Sequence, residues 1–421
     1  MSIREEKVKN RSKASKVLLV IDPNSVHAGR FIMNMSDYWP EIRVFSSRVH
    51  FNVDEHITDK TIYVDHKYHC SDDKNTYISR KELLEKRGGL TASWFIHLIE
   101  RVFNVLKMGE EKPLVRHLHK VIREWKPDLV VALKLQNEGY ILDQALVDIT
   151  KKPKIITFLW GTDLEYFLKD PIMRQSHSNR IFSALDSSDL VLTDTNRDIK
   201  YLKEMGYTSL AVRGIVATCG FTKKELDITN GISIENRNEI VIKCRTGDGI
   251  GHPEMILECI RQRPDYFKDY KINFVMTSAS LYPVINELCE SNGIQFEIHK
   301  RIPYRKLLGV FQRSKYAIGA SSVDGSPGFL IEAISMGCLP IYSEMESTKE
   351  WVKSEINGFT FKADVSELLL ALEMAQSLDL EKLNDYNQVI TRKFLTAEIN
   401  CTEINNMVNK MLSLENNVSN T

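Results

Sequence analysis

The chain has 421 residues, which is more than one ordinary hydrophobic core holds and is the usual size of two domains. Its composition of 43% hydrophobic and 27% charged residues is typical of a globular protein. The 56 basic and 56 acidic side chains cancel, so the overall charge argues against nucleic acid as a partner.

Residues 1–14 are predicted to form a disordered basic arm. The apolar run that follows them is broken at Asp22, which makes it too short for a signal peptide or a membrane span. The seven cysteines include no C-x-x-C pair and are odd in number, a pattern typical of reduced thiols. We therefore expect a cytoplasmic protein.

Short apolar segments rich in β-branched residues alternate with helical patterns along the whole chain. Nearly continuous apolar strands of this length are typical of parallel sheets covered by helices on both faces. The predicted strands are KVLLVID (16–22), IRVFSS (42–47), PDLVVAL (127–133), KIITFLW (154–160), DLVLTD (189–194), EIVIKC (239–244), KINFVMT (271–277), KYAIGAS (315–321) and CLPIYS (338–343). Apolar residues at three- and four-residue spacing predict helices over 113–125 and 366–378, among others.

The strand series restarts near residue 238, after a polar, turn-rich stretch without periodicity, which predicts a domain boundary. We expect an N-terminal domain over 15–218 and a C-terminal domain over 219–390. A helix at about 392–413 is expected to pack back onto the first domain. The predicted fold is α/β, with two doubly wound, Rossmann-like parallel sheets that face each other across a ligand cleft.

A helix with an acid before it and another within it is predicted from DGSPGFLIEAISMGCLPI (324–341). Ser326 is a suitable N-cap and Pro327 a suitable first helical residue, so the helix should begin there and end near Gly337. Asp324 lies on the loop before this helix. Its carboxylate could accept hydrogen bonds from sugar hydroxyls, or it could be a simple turn residue.

The start of this helix is a candidate anion site. Its first N–H groups belong to Gly328, Phe329 and Leu330, and they suit a phosphate or sugar oxygen. Glu332 lies one turn later on the same face, where a carboxylate could accept hydrogen bonds from two ribose hydroxyls. The alternative is that Glu332 is a solvated helix position.

This stretch resembles the donor-site signature of the retaining family 4 glycosyltransferases, which have the GT-B fold. The family pattern is an acid, seven residues, a second acid followed by alanine, a Gly-x-Pro strand and an Asn-Gly turn. It is matched by Asp324, Glu332, Ala333, Gly337, Pro340, Asn357 and Gly358. Asp324 departs from the commoner glutamate. The resemblance implies that Glu332 grips ribose, that Asp324 holds the sugar, and that the backbone from Gly325 to Leu330 neutralises the diphosphate.

Weaker features extend the resemblance over most of the chain. The stretch NSVHAGRFI (24–32), with Ser25, His27 and Arg30, resembles the first strand-to-helix loop of the family. The stretch TFLWGTDLEY (157–166) resembles the fifth-strand motif, and VATCGF (216–221) lies where the interdomain linker is expected. The resemblance implies that His27 and Asp163 position the sugar and the acceptor. His27 could equally be a helix-start residue.

The family usually supplies an arginine and a downstream lysine to the diphosphate, both after the first strand of the second domain. In IVIKCRTGDGIGHPEM (240–255), Arg245 can fill the first role, but the lysine is absent and His252 stands near its place. Lys243 could substitute for it if the strand end turns inward, or it could face solvent.

We therefore expect a hexosyltransferase that moves a sugar from a nucleotide diphosphate to a glycan or lipid-linked acceptor with retention, in surface polysaccharide or glycoconjugate biosynthesis. No metal or other cofactor is expected. Two alternatives stay open: a nucleotide-sugar epimerase of the same fold, and an inactive sugar-nucleotide-binding partner protein.

The other motifs in the sequence give less support for a different chemistry. The cluster HKYHC (66–70), near His50 and His56, fits no standard zinc spacing, and no phosphate-loop or dinucleotide fingerprint follows a predicted strand. The segment 90–109 has one apolar helical face flanked by basic residues. It could lie on an anionic membrane that holds the acceptor, or it could pack against the core of the first domain.

Overall fold

The structure is a computed structural model. The parts of the chain that it describes are 12–48, 62–64, 108–213, 216, 218–227, 232–246, 250–300 and 302–418. The histidine cluster, nearly all of the predicted arm, and all but the end of the amphipathic segment lie outside these residues. Their roles stay predictions.

Two parallel sheets form the framework. The strands are β1 Lys16–Ile21, β2 Glu41–Ser46, β3 Ile62–Val64, β4 Leu129–Leu133, β5 Lys154–Leu159, β6 Leu190–Thr193, β7 Ala211–Arg213, β8 Glu239–Lys243, β9 Lys271–Val275, β10 Gln295–Ile298, β11 Ser314–Gly319, β12 Leu339–Ser343 and β13 Phe359–Phe361. The first sheet has the order β3-β2-β1-β4-β5-β6-β7 and the second the order β10-β9-β8-β11-β12-β13. Strand order therefore reverses between β1 and β4 in one sheet and between β8 and β11 in the other.

Helices connect the strands, as parallel pairing requires. They are α1 Val26–Met35, α2 Met108–Trp125, α3 Tyr140–Ala145, α4 Glu165–Lys169, α5 Pro171–Asp186, α6 Asn196–Glu204, α7 Lys223–Leu226, α8 Pro253–Gln262, α9 Tyr282–Ser291, α10 Tyr304–Arg313, α11 Gly328–Ser335, α12 Glu346–Lys349, α13 Val365–Ala375, α14 Leu380–Ile390 and α15 Ala397–Val418. In the described part of the chain, none of them is long and apolar enough to cross a membrane.

The central strands are buried on both faces, which explains their unbroken apolar sequences. In β8, Ile240 and Ile242 join one hydrophobic cluster, whereas Val241 between them joins another. Successive strand side chains point to opposite faces. Each face of the second sheet therefore has a core of its own, and the expected doubly wound arrangement is confirmed.

The described chain groups into two compact units. The first takes its residues from Met1–Phe158, His177–Val191 and Asn405–Thr421, and the second from Leu159–Ser176 and Leu192–Ile404. The strands change from the first sheet to the second between Arg213 and Glu239. A domain boundary at 218/219 stays a prediction, because the compact units divide elsewhere.

The last helix contributes to the first unit through its C-terminal half. Asn409 Oδ1 accepts a hydrogen bond of 2.7 Å from the Lys13 N–H, and Ser413 Oγ accepts one of 2.7 Å from Lys13 Nζ. The end of α15 is thereby tied to the residues that precede β1.

Candidate functional site

The switch point of the second sheet carries a buried cation. Lys243 is the last residue of β8, and its side chain is 13% exposed. Its Nζ donates to Tyr342 OH at 2.9 Å and lies 3.4 Å from Asp324 Oδ2 and 3.5 Å from Ser321 Oγ. Of the two orientations left open by the sequence, the inward one is observed.

The surroundings keep this lysine charged. Burial by itself would lower the pKa of Lys243, but Tyr342 and Asp324 together raise the pKa above its ordinary value. A cation is therefore fixed at the carboxyl ends of β8 and β11, where doubly wound sheets bind their ligands.

Tyr342 was not predicted as part of the site. It is fully buried on β12, and its hydroxyl lies 3.1 Å from Ser321 Oγ as well as close to Lys243. Its ring lies over Gly319, where an added Cβ would come within 2.3 Å of Tyr342 Cε2. Gly319 therefore leaves the space that the ring needs to reach Lys243.

The predicted cap of the motif helix is wrong. The helix α11 begins at Gly328, and Pro327 occupies the N-cap position without a side-chain hydrogen bond. The Ser326 hydroxyl instead donates to the Asp194 backbone oxygen at 3.1 Å and accepts from Trp351 Nε1 at 2.8 Å. The Ser326 hydroxyl therefore bonds to residues distant in sequence and does not cap the helix.

The loop amides before α11 already contact carboxylates. Asp324 Oδ1 accepts from the Gly325 N–H, and Asp194 Oδ2 accepts from the Ser326 N–H, both at 3.1 Å. The Ile331 N–H donates to the Pro327 oxygen, so the three preceding N–H groups, of Gly328 to Leu330, have no helical acceptor four residues back. The start of α11 thus offers amides to anionic oxygens.

Glu332 is 7% exposed on α11. The alternative that it is a solvated helix position is therefore wrong. A carboxyl group is thus largely buried one turn after the first residue of the helix, and its contact with ribose stays a prediction.

A second missed residue, Arg197, organises the other side of this loop. It is 3% exposed, and its guanidinium donates to the backbone oxygens of Asp324 and Gly161 at 2.6 Å each. The same group pairs with Glu165 at 2.5 Å and with Asp198 at 2.9 Å. One side chain thus joins the segment after β5, the start of α6 and the loop before α11, all within the second unit.

Gly161 and Gly325 touch through their backbones. A Cβ on Gly161 would lie 1.8 Å from the Gly325 nitrogen, so no other residue fits there. Asp163, in the same turn, is fully buried, and its Oδ2 accepts from the Trp160 N–H at 3.0 Å. The WGTD motif therefore shapes a tight turn against the loop that carries Asp324.

Asp194 is a buried acid of this region whose pKa is strongly raised. Burial, with the nearby charge of Asp198 as the next cause, raises the pKa of Asp194 to about 7. It is 4% exposed at the end of β6. The charge on Asp194 therefore changes near neutral pH, and with it the strength of the hydrogen bond by which Asp194 occupies the Ser326 N–H.

Arg245 and His252 follow β8 on the irregular segment before α8. Arg245 is exposed. The His252 N–H donates to the Ala320 oxygen at 3.0 Å, and its Nδ1 lies 3.0 Å from Glu254 Oε1. The structure thus brings the backbone of His252 to the end of β11, beside the loop of Asp324.

The predicted contacts from the first strand-to-helix loop belong to the first unit. Ser25 caps α1, since its side chain accepts from the Ala28 N–H. His27 is exposed in the first turn of that helix, and Arg30 is buried in it. A shared role of His27 with Asp163 and Arg245, which belong to the second unit, stays a prediction.

Among the described residues, no group of three or more histidine, cysteine or acidic side chains is arranged to hold a metal ion. The polar groups at the site are instead a buried cation, two acids and helix amides, which match an anionic, hydroxyl-bearing ligand.

No family model and no curated protein sequence matches the chain. Solved structures do. Sucrose-phosphate synthase from Thermosynechococcus elongatus superposes with a TM-score of 0.64 at 12% identity, over 95% of this chain and 100% of that one. The chain has the GT-B fold.

Two further structures share the GT-B fold. The pneumococcal O-GlcNAc transferase GtfA, in complex with UDP and GlcNAc, matches with a TM-score of 0.55 at 15% identity. The match covers 71% of this chain and 60% of GtfA. A Listeria monocytogenes protein assigned as UDP-N-acetylglucosamine 2-epimerase matches with a TM-score of 0.58 at 11% identity, over 93% of this chain and 95% of that one. At these identities the likeness establishes the fold alone.

Proposed function

We propose that the protein is a cytoplasmic, retaining glycosyltransferase similar to family 4, which moves a hexose from a nucleotide diphosphate to a glycan or lipid-linked acceptor. The observation that carries the proposal is the buried Lys243 cation beside Asp324, at the switch point of the second sheet. Surface polysaccharide or glycoconjugate synthesis is the process that such a reaction serves.

The chemistry follows from the charges. Breaking the bond between sugar and nucleotide leaves a diphosphate whose negative charge has to be stabilised, which is the main electrostatic task of such a reaction. Lys243 supplies one fixed positive charge, and the first N–H groups of α11 supply partial ones. Arg245 and His252, on the segment after β8, are proposed as further diphosphate contacts.

The acids then bind the uncharged parts of the donor. Asp324 is 27% exposed and can accept from sugar hydroxyls, and Glu332 is proposed to accept from the ribose. Asp163 and His27 are proposed to position sugar and acceptor, as the resemblance implies.

Binding of UDP tests the role of Lys243. Replacing Lys243→Met removes the cation but keeps the length of the side chain, so we expect a Kd for UDP at least tenfold higher in calorimetry, as the loss of a charge-assisted contact implies. The control is Lys271→Met, because Lys271 begins the neighbouring strand and pairs with Glu297 away from the site. Equal UDP affinity in both variants would reject Lys243 as a donor contact.

Retention and independence of divalent metal are the mechanistic part of the proposal. Its charges come from side chains and helix amides, and in the similar family the donor phosphate is thought to take the acceptor proton on the same face of the sugar. We expect turnover in excess EDTA and a product with the donor's anomeric configuration, determined by NMR. Loss of turnover that magnesium or manganese restores would contradict the metal claim, and an inverted anomer would contradict retention.

An epimerase is the second candidate, favoured by the Listeria structure of the same fold. Product analysis with UDP-sugar alone separates the two, because an epimerase releases an altered sugar nucleotide without an acceptor. UDP binding with neither product would indicate an inactive partner protein.

A further inference from the structure

The switch point of the first sheet also carries an unusual acid. Strand order reverses there between β1 and β4. The residues that follow these strands and β2 include Asp22, Ser47 and the segment 134–138, which ends at Glu138. We propose that Glu138 is a binding residue for a hydroxyl group of the acceptor sugar. This inference rests on the proposed transfer reaction.

One oxygen of the Glu138 carboxyl group accepts a hydrogen bond, whereas the other has no partner among the described residues. Ser47 Oγ donates to Glu138 Oε1 at 2.6 Å, and the Ser47 N–H donates to the Ile21 oxygen at 2.8 Å. Glu138 is 2% exposed, yet its Oε2 has no hydrogen-bond partner among the residues that the structure describes. A buried polar atom without a partner is costly, and such atoms in folded proteins call for a functional explanation or a bound molecule.

The charges around Glu138 favour a neutral ligand. Burial raises the pKa of Glu138 to about 8, so the group is a protonated acid at neutral pH. Lys134 opposes this rise, and Asp22 adds to it. Asp22 itself accepts from Arg48 Nε at 2.5 Å. A protonated Oε2 can donate to a hydroxyl oxygen, whereas a cation gains nothing from it.

The backbone that presents Glu138 is strained. Lys134 has φ 139° and Asn137 has φ 68°, although neither is glycine. Such conformations are energetically unfavourable and cluster at binding sites. Because Oε2 is closed to solvent, a ligand hydroxyl has to displace part of this segment to reach it.

Two variants separate binding from structure. Glu138→Gln keeps a hydrogen-bond donor near the position of Oε2 and cannot ionise, whereas Glu138→Met fills the same volume without polar atoms. The control is Glu124→Gln, since Glu124 is exposed on α2 and pairs with the exposed Lys120. Thermal melting checks that each variant folds, and the acceptor KM is measured between pH 6 and 9.5.

We expect Glu138→Met to raise the acceptor KM roughly three- to tenfold, the range that one neutral hydrogen bond contributes, with the UDP affinity unchanged. The acceptor KM of the parent should change as the pH passes 8, where Glu138 turns from a hydrogen-bond donor into an acceptor, and that of Glu138→Gln should stay constant. A parent that transfers sugar while Glu138→Met keeps its acceptor KM overturns this inference and leaves the proposed function intact.

If the parent transfers no sugar, the proposed function fails, and saturation-transfer NMR then tests the site directly. The probes are methyl glycosides of glucose, galactose, mannose and N-acetylglucosamine, in the presence of UDP. A contact that is lost in Glu138→Met supports the hydroxyl site. Absence of any contact in the parent, or an equal contact in Glu138→Met, overturns it.

Discussion

Asp194 is a single side chain placed to control the candidate anion site at the start of α11. Its carboxylate accepts from the Ser326 N–H at 3.1 Å, and its backbone oxygen accepts from the Ser326 hydroxyl. A diphosphate that uses this amide has to displace the carboxylate and then lie beside its negative charge. We therefore expect ionised Asp194 to oppose binding of the proposed donor.

Replacing Asp194→Asn should strengthen UDP binding in a pH-dependent way. The amide keeps an oxygen for the Ser326 N–H and removes the charge, so we expect the Kd for UDP to fall about tenfold at pH 8, in line with one close charge pair at intermediate dielectric. At pH 6 the change should be small, because the pKa of Asp194 is raised to about 7 and the parent carboxyl is then mostly protonated.

Calorimetry at the two pH values checks this, with Asp186→Asn, an exposed acid in the first unit, as the control. Comparing parent with variant at each pH cancels the ionisation of UDP itself. If the ratio of the variant Kd to the parent Kd is the same at pH 6 and pH 8, the charge of Asp194 does not affect UDP binding.

At the scale of elements, the strands that the sequence missed are all edge strands. The nine predicted strands are present, and β3, β7, β10 and β13 are the ones without a prediction. An edge strand of the described chain has only three or four residues, and in β10 none of them is fully buried. It therefore lacks the continuous apolar run by which the central strands were recognised.

The site was predictable only where its residues share one segment. Asp324 and Glu332 were predicted from their spacing together with the family resemblance, and Lys243 as a substitute for the downstream lysine of that family pattern. Tyr342 and Arg197 could not be found this way, because β12 and α6 bring them to the site by tertiary packing.

The close packing of two glycines was likewise invisible in the sequence. Gly161 belongs to a recognisable motif, but nothing local indicates that its Cα lies against the Gly325 backbone. Spacing shows which residues belong to one loop, whereas the partner of that loop depends on the fold.

At the scale of the whole molecule, each sheet places a different kind of group at its switch point. The second has the Lys243 cation with Asp324, suited to a charged ligand, and the first has the neutral acid Glu138 with Ser47, suited to a hydroxyl. The difference arises from burial, since Lys243 has polar partners that keep it charged and Glu138 has too few to stay ionised.

Buried acids in both units make the stability depend on pH in an unusual direction. Burial raises the pKa of Glu138 from 4.5 to about 8 and that of Asp194 from 3.8 to about 7. Between those values the folded chain binds more protons than the unfolded chain, so the free energy of unfolding falls as the pH rises. The loss is complete once the pH has passed the folded pKa of each group, and it is at most about 5 kcal/mol for Glu138 and about 4 kcal/mol for Asp194.

We therefore expect a lower Tm at pH 8.5 than at pH 5.5, measured by calorimetry. The double variant Glu138→Gln, Asp194→Asn should lose most of this difference, because neither replacement can ionise, and the exposed pair Glu124→Gln, Asp186→Asn should behave as the parent does. The exposed acids whose pKa is lowered, such as Asp364 and Asp379, act only below about pH 4 and leave this window unaffected. Asp198, whose pKa burial raises, and His299, whose pKa burial lowers, are present in the parent and in both variants, so the comparison isolates Glu138 and Asp194. A double variant as pH-dependent as the parent would mean that neither of these two carboxyls keeps its proton in this window, and Glu138 would then not be the neutral hydrogen-bond donor proposed for it.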